Sequence, residues 1–156
     1  MMTDRTHTGI EEGWRRIMEI LGDVAAQDRL DEGLRHLSRA LSHNPSDPWL
    51  RLARGVLYTC AGHFARADDD YAHVEASAKA PRLEAFARSL RDELEDWQLA
   101  IITSLLREDR AFLHEYRADA DAALAKRGFQ LSAPGRQMVL YIERSLPRGF
   151  MPAGLC

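Results

Sequence analysis

The chain is predicted to be all-α, a single domain built as a helix-turn-helix repeat array of about seven helices. Three observations predict it. Apolar residues recur at spacings of three and four along most of the chain, which puts them on one face of successive helices. Runs that alternate apolar with polar residues between hairpin turns are missing, so strands are not expected. Small and large residues also return at a fixed interval: Gly33, Leu37 and Ala40 are matched 34 residues later by Ala67, Tyr71 and Val74. At 156 residues, with 46% apolar and 29% charged, the chain can bury a core and is too apolar for extended disorder.

The elements follow in order. Residues 1–9 are polar and are expected to be frayed and disordered. Trp14, Ile17, Met18, Leu21, Val24 and Ala25 form one stripe, giving a helix over 11–26, and Gln27, Asp28 and Arg29 read as a turn. Leu30, Leu34, Leu37, Ala40 and Leu41 give a second helix over 30–42. Asn44 to Pro48 break the chain. Asp47 is a good N-cap, and Pro48 at the first helical position has no amide to leave unpaired. A third helix over 48–61 ends at Gly62, and a fourth covers 64–79.

Pro81 is the next break. The series Leu83, Phe86, Leu90, Leu94, Trp97, Ile101 and Leu105 predicts one long helix over 82–106. Asp109 then caps a sixth helix over 110–126, although a continuous helix through 82–126 also fits the spacing. Residues 128–135 read as a loop, 136–145 as a short C-terminal helix, and 147–156, rich in Pro and Gly, as an irregular tail.

Charge and cysteine content narrow the function classes. The net charge of −3 gives no global field to recruit nucleic acid. Only Lys79 and Lys126 are lysines among 21 basic residues, a skew that fits a GC-rich bacterial genome. No apolar run approaches the roughly 20 residues of a membrane span, and residues 1–7 lack the apolar core of a signal peptide, so a cytoplasmic protein is expected. Cys60 and Cys156 are read as incidental thiols in a reducing compartment.

Within the repeat, one unit carries a more detailed pattern. Gly55, Tyr58, Gly62, Phe64, Ala67 and Tyr71 stand at the spacing of the small, aromatic and glycine positions of the tetratricopeptide repeat, which this unit resembles. The resemblance covers two repeats, over 14–47 and 48–81. The first is weaker, carried by residues 28–33 as the inter-helix turn and by Pro45. Arg51 and Leu21 depart from the pattern, standing where the family has a bulky aromatic and a small residue. Residues 82–126 keep the hairpin rhythm without the motif and are read as a degenerate third hairpin. The chemistry of the pattern is plain. Small residues let two helices approach closely, and glycine accepts the positive φ that ends a helix.

The resemblance implies a concave groove lined by the first helix of each hairpin. Carried over position by position, the partner-binding residues would be Arg15 and Met18, then Trp49, Leu52, Val56 and Thr59, then Leu83, Phe86 and Leu90. Such a groove is apolar and suits a peptide or helix with apolar anchors. A lysine-based clamp for a C-terminal carboxylate is not expected, because no lysine precedes Lys79. The competing expectation is that the array buries these residues itself, or that the 136–145 helix fills the groove.

Chemistry-bearing clusters are few. His63, Asp69, Asp70 and His73 lie close in sequence, and Asp69 and His73 share a helical face as metal ligands often do. The plainer explanation of Asp68, Asp69 and Asp70 is a solvated first turn of a helix. The pairs Arg15/Arg16, Arg35/Arg39 and Arg51/Arg54 are expected to pair mostly with neighbouring carboxylates. No nucleophile elbow or phosphate-binding glycine loop occurs. The expectation is therefore a non-enzymatic protein-binding module, an adaptor or chaperone, with no cofactor and no resident metal, and with homodimerisation possible. The alternatives are a self-associating scaffold and a small metal-dependent enzyme using His63, Asp69, Asp70 and His73.

Overall fold

The structure, a computed structural model, describes residues 4–22 and 29–147. Among them every regular element is an α-helix: α1 (Asp4–Leu21), α2 (Leu30–His43), α3 (Pro48–Cys60), α4 (Phe64–Ser77), α5 (Pro81–Glu108), α6 (Arg110–Ala118), α7 (Ala120–Lys126) and α8 (Ala133–Ser145). None of these helices is long and apolar enough to cross a membrane. The expected disorder of residues 1–9 does not hold from Asp4 onward, where α1 begins. That helix stops at Leu21, and Gly22 follows with φ 47°. The expectations for residues 23–28 and for 148–156 lie outside the described residues.

Helix ends follow the predicted chemistry. Asp47 accepts from the amides of Trp49 (2.9 Å) and Leu50 (3.2 Å), with Pro48 opening α3. Gly62, at φ 76°, closes it. Its amide donates to the Thr59 carbonyl and the His63 amide to the Tyr58 carbonyl, the paired bonds of a Schellman cap.

Residues 110–126 are not the single helix expected. Asp119 has extended backbone (φ −156°, ψ 101°) and accepts from the Ala122 amide, which ends α6 and starts α7, so eight helices are described rather than seven. The break escapes the periodicity because Phe112, Tyr116, Ala123 and Leu124 all enter one core across it. At the last helix, the Ser132 hydroxyl accepts from the Gly135 amide, so α8 begins at Ala133 rather than 136.

The chain divides into two compact units, Met1–Leu94 and Glu95–Cys156, and α5 contributes one half to each. In the first, α3 packs on α4, and α2 and α1 each pack on α3. The α3–α4 approach is close enough that a Cβ on Gly55 would run into the Tyr71 ring. Leu52, Ala53, Leu57, Phe64, Ala67 and Val74 fill the same core. Burial of Tyr71 pushes its phenol above the ordinary value, and its hydroxyl lies 3.2 Å from Thr59 Oγ1.

The first half of α5 joins this unit through Phe86. Its ring lies 6.1 Å from Trp14, edge-on, and 6.2 Å from Trp49, so it fills the space between α1 and α3. Ion pairs tie α5 to α4. Arg91 donates to Asp68 (2.8 Å) and Glu75 (2.8 Å), and Arg88 donates to Glu75 (2.9 Å). The hydrogen bonds from Arg91 and then Arg88 hold the Glu75 carboxyl below its usual range.

In the second unit, Ile102 and Leu106 of α5 meet Phe112, Tyr116, Leu124, Leu131 and Val139. The side chain of buried Gln98 accepts from the Gln130 amide, and Glu95 accepts from the amide and hydroxyl of Ser132, which fixes the chain into α8. Along α8, Val139 is fully buried. Met138 and Tyr141 are exposed.

Two outcomes follow from this packing. A Cβ on Gly13 would lie 2.7 Å from the buried Phe86 ring, whereas Gly9, on the same helix, has open space around it. Gly13→Ala is expected to lower stability by about 1–2 kcal/mol, since overpacking outweighs the gain in helix propensity, while Gly9→Ala raises it by about 0.5–1 kcal/mol. Urea unfolding of the two variants checks this. The second outcome concerns acid. A carboxyl whose folded value is depressed contributes stability that is present above the unfolded value of about 4.3 and lost as pH falls through the folded value. Glu75→Gln should therefore shrink the drop in urea midpoint between pH 5 and pH 3.

Candidate functional site

The predicted groove is largely core. Leu52, Phe86 and Leu90 are 0%, 2% and 3% exposed, so none is available to a partner in this structure. The physical reason is that α5 packs across the face that α1 and α3 would have presented, with Phe86 wedged between their tryptophans. Val56, Leu83 and Trp49 are half-buried, and Arg16 lies over the Trp49 ring at 5.7 Å. Half-buried Thr59 donates its hydroxyl to the Gly55 carbonyl inside α3. Of the nine predicted positions only Arg15 and Met18 are exposed, Met18 by 53%.

The acidic run on α4 is also reassigned. Asp68, Asp69 and Asp70 are not a solvated first turn: they lie in the second turn of α4, and Asp70 is 3% exposed. Its carboxylate takes both ends of the Arg54 fork, from Nε to Oδ2 and from Nη2 to Oδ1, each at 2.7 Å. Arg51 adds a longer contact to Oδ1 at 3.5 Å. That pairing raises the Arg54 pKa further above its ordinary value. Asp70 is thus committed to two guanidiniums, while His63, Asp69 and His73 are exposed. Among the described residues, no group of three or more His, Cys, Asp or Glu side chains is placed to hold a metal ion. Cys60 is an exposed free thiol.

A different site emerges on the other side of α3. Between α2, the end of α3 and the start of α4 lies an open cleft of about 660 Å³. Arg35 and Arg39, one helical turn apart, line it from α2, with Asp31 at one end. Tyr58 lines it from α3 and Arg66 from α4, and His63 stands at the capped turn between them. The Tyr58 ring is engaged by two guanidiniums, Arg54 at 5.6 Å and Arg66 at 5.7 Å. A second hollow of about 510 Å³ continues from it past Arg35 and His63 toward Arg29 and Glu32.

The charges in the cleft are not balanced. Arg54 is neutralised by Asp70 and reaches Ser38 at 3.4 Å. Among the described residues Arg35, Arg39 and Arg66 pair with no carboxylate, and Arg35 only donates to the Asp31 carbonyl at 3.3 Å. Three guanidiniums therefore share a concavity with one carboxylate. The expectation that the basic pairs find neighbouring carboxylates holds for Arg51/Arg54, whereas Arg35/Arg39 find none among the described residues. Arg66 is not singled out by the sequence at all. The one signal for it is its place just after Gly62, where the chain turns back toward Tyr58.

No protein-family model, curated protein or solved structure matches the chain.

Asp70 is the group whose loss should be felt most in this region. Asp70→Ala leaves Arg54 and the partly buried Arg51 without their shared counter-charge, and the expected cost is about 3 kcal/mol in urea unfolding. Asp69→Ala, at an exposed position, should change stability by less than about 0.5 kcal/mol.

Proposed function

We propose that this protein is a non-enzymatic binding module, a bacterial cytoplasmic adaptor or chaperone that holds a segment of another protein in the cleft between α2 and the α3–α4 hairpin. The arginine-lined cleft carries this reading: it is open, built on helices, and presents charge that no carboxylate among the described residues pairs. The acidic run that invites a metal reading has its last carboxylate, Asp70, tied to Arg54, so no catalytic chemistry is proposed there.

We also propose a tetratricopeptide-like arrangement for residues 48–77. Its support is the close Gly55–Tyr71 approach, the positive φ of Gly62, and the burial of Phe64 and Ala67, which are the roles that pattern assigns to them. The earlier half fits less well, since α1 packs chiefly on α3.

A second binding surface has one observation in its favour, the half-exposed Met18 beside Arg15 at the edge of α1. Capture of partners from bacterial extract separates the two. A partner held by wild type should be lost with Arg39→Glu/Arg66→Glu and kept with Met18→Glu, each variant first shown to be folded by circular dichroism. Retention by the double variant together with loss on Met18→Glu would move the site to the rim of α1.

A further inference from the structure

We infer that the cleft recognises an extended acidic segment in which carboxylates alternate with other residues. The inference rests on the proposed function and names the chemistry of its partner.

The first argument is charge. The chain as a whole is acidic, at −3, yet among the described residues the cleft gathers Arg35, Arg39 and Arg66 with one carboxylate, that of Asp31. Here three come from two separate helices into one hollow, and all three are exposed to solvent. Guanidinium forks match carboxylates bidentately and stay charged at any physiological pH.

The second argument is spacing. Arg35 and Arg39 are four residues apart on α2, so their backbones are about 6 Å apart along the helix axis. In an extended peptide, residues two apart are separated by about 6.6 Å and point the same way. Carboxylates at alternate positions of such a peptide meet the two arginines in register. Arg66, held over Tyr58 from the other wall, is placed for a third contact.

The third argument excludes a base-stacking role. Single-stranded nucleic acid is held by open aromatic faces beside a basic track. Two rings line the cleft among the described residues, Tyr58 and His63, packed edge-on against each other at 6.0 Å, and Arg54 and Arg66 already lie against Tyr58. A peptide that needs only the guanidiniums meets no such obstacle.

Fluorescence anisotropy at low salt tests this with labelled twelve-residue probes. An alternating Glu-Ser peptide should bind and should weaken steeply as salt is raised. The same composition in two blocks should bind less well. Arg39→Ala and Arg66→Ala should each reduce affinity about tenfold, as expected for loss of a charged hydrogen bond. Arg144→Ala, on α8, should leave affinity unchanged, and circular dichroism confirms the fold of every variant.

Absence of binding, or binding indifferent to Arg39 and Arg66, overturns the inference. So does tighter binding of a twelve-nucleotide thymidine strand or of a singly phosphorylated neutral peptide. If the cellular partner is still lost with Arg39→Glu/Arg66→Glu while the acidic probe fails, the site stands and only its assigned chemistry falls. If that partner is retained, the binding function in this cleft falls as well.

Discussion

The first unit depends on how closely α3 and α4 come together. Gly55 has no side chain because the Tyr71 ring occupies that space, and the absence of a Cβ lets the two helices bury Leu52, Leu57, Ala67 and Val74 between and around them. The same approach brings Asp70 under Arg54. An ion pair this buried adds little net stability, because the lost hydration offsets most of the attraction. Its effect is to disfavour every other register of α3 on α4, since a slipped pairing would strand a carboxylate away from water. Apolar contact sets the distance between the helices, and the ion pair sets their alignment.

From that pairing the rest of the site follows. The Schellman cap at Gly62 returns the chain so that His63 and Arg66 come up on the side of α3 that carries Tyr58. Packing of α2 against α3 supplies the opposite wall. Meanwhile α5 closes the other face of the unit with Phe86, which is why apolar residues expected from the sequence to line a groove are interior. The second unit is organised differently. Its core is apolar and small, and polar side chains of α5, Glu95 and Gln98, anchor the loop that leads into α8.

Helix content, caps and turns were legible in the sequence because each has a local cause. Asp47 with Pro48, Gly62, and Asp109 announce helix ends without any knowledge of tertiary structure, and each acts as expected. The split at Asp119 was hidden because a break that preserves the apolar spacing leaves periodicity intact. Whether the groove is open or filled was illegible for a different reason. Helical spacing identifies which residues face inward, but whether that interior is open or occupied depends on where a distant helix packs. Phe86 is 37 residues from Trp49, and nothing local reveals that they touch. The arginine cleft suffers from the same limit. Arg35, Arg39 and Arg66 look like ordinary solvated charges until α2 and α4 are placed beside each other.

The division of labour between Arg54 and its neighbours has an evolutionary consequence. Arg54 is bound into the fold by Asp70, so it cannot change without a compensating change at a second position. Arg35, Arg39 and Arg66 stand at the surface and carry no comparable structural duty. Substitution can therefore alter the charge of the cleft one codon at a time while the scaffold beneath it stays constant. The charge of this surface is free to drift faster than the core that holds it.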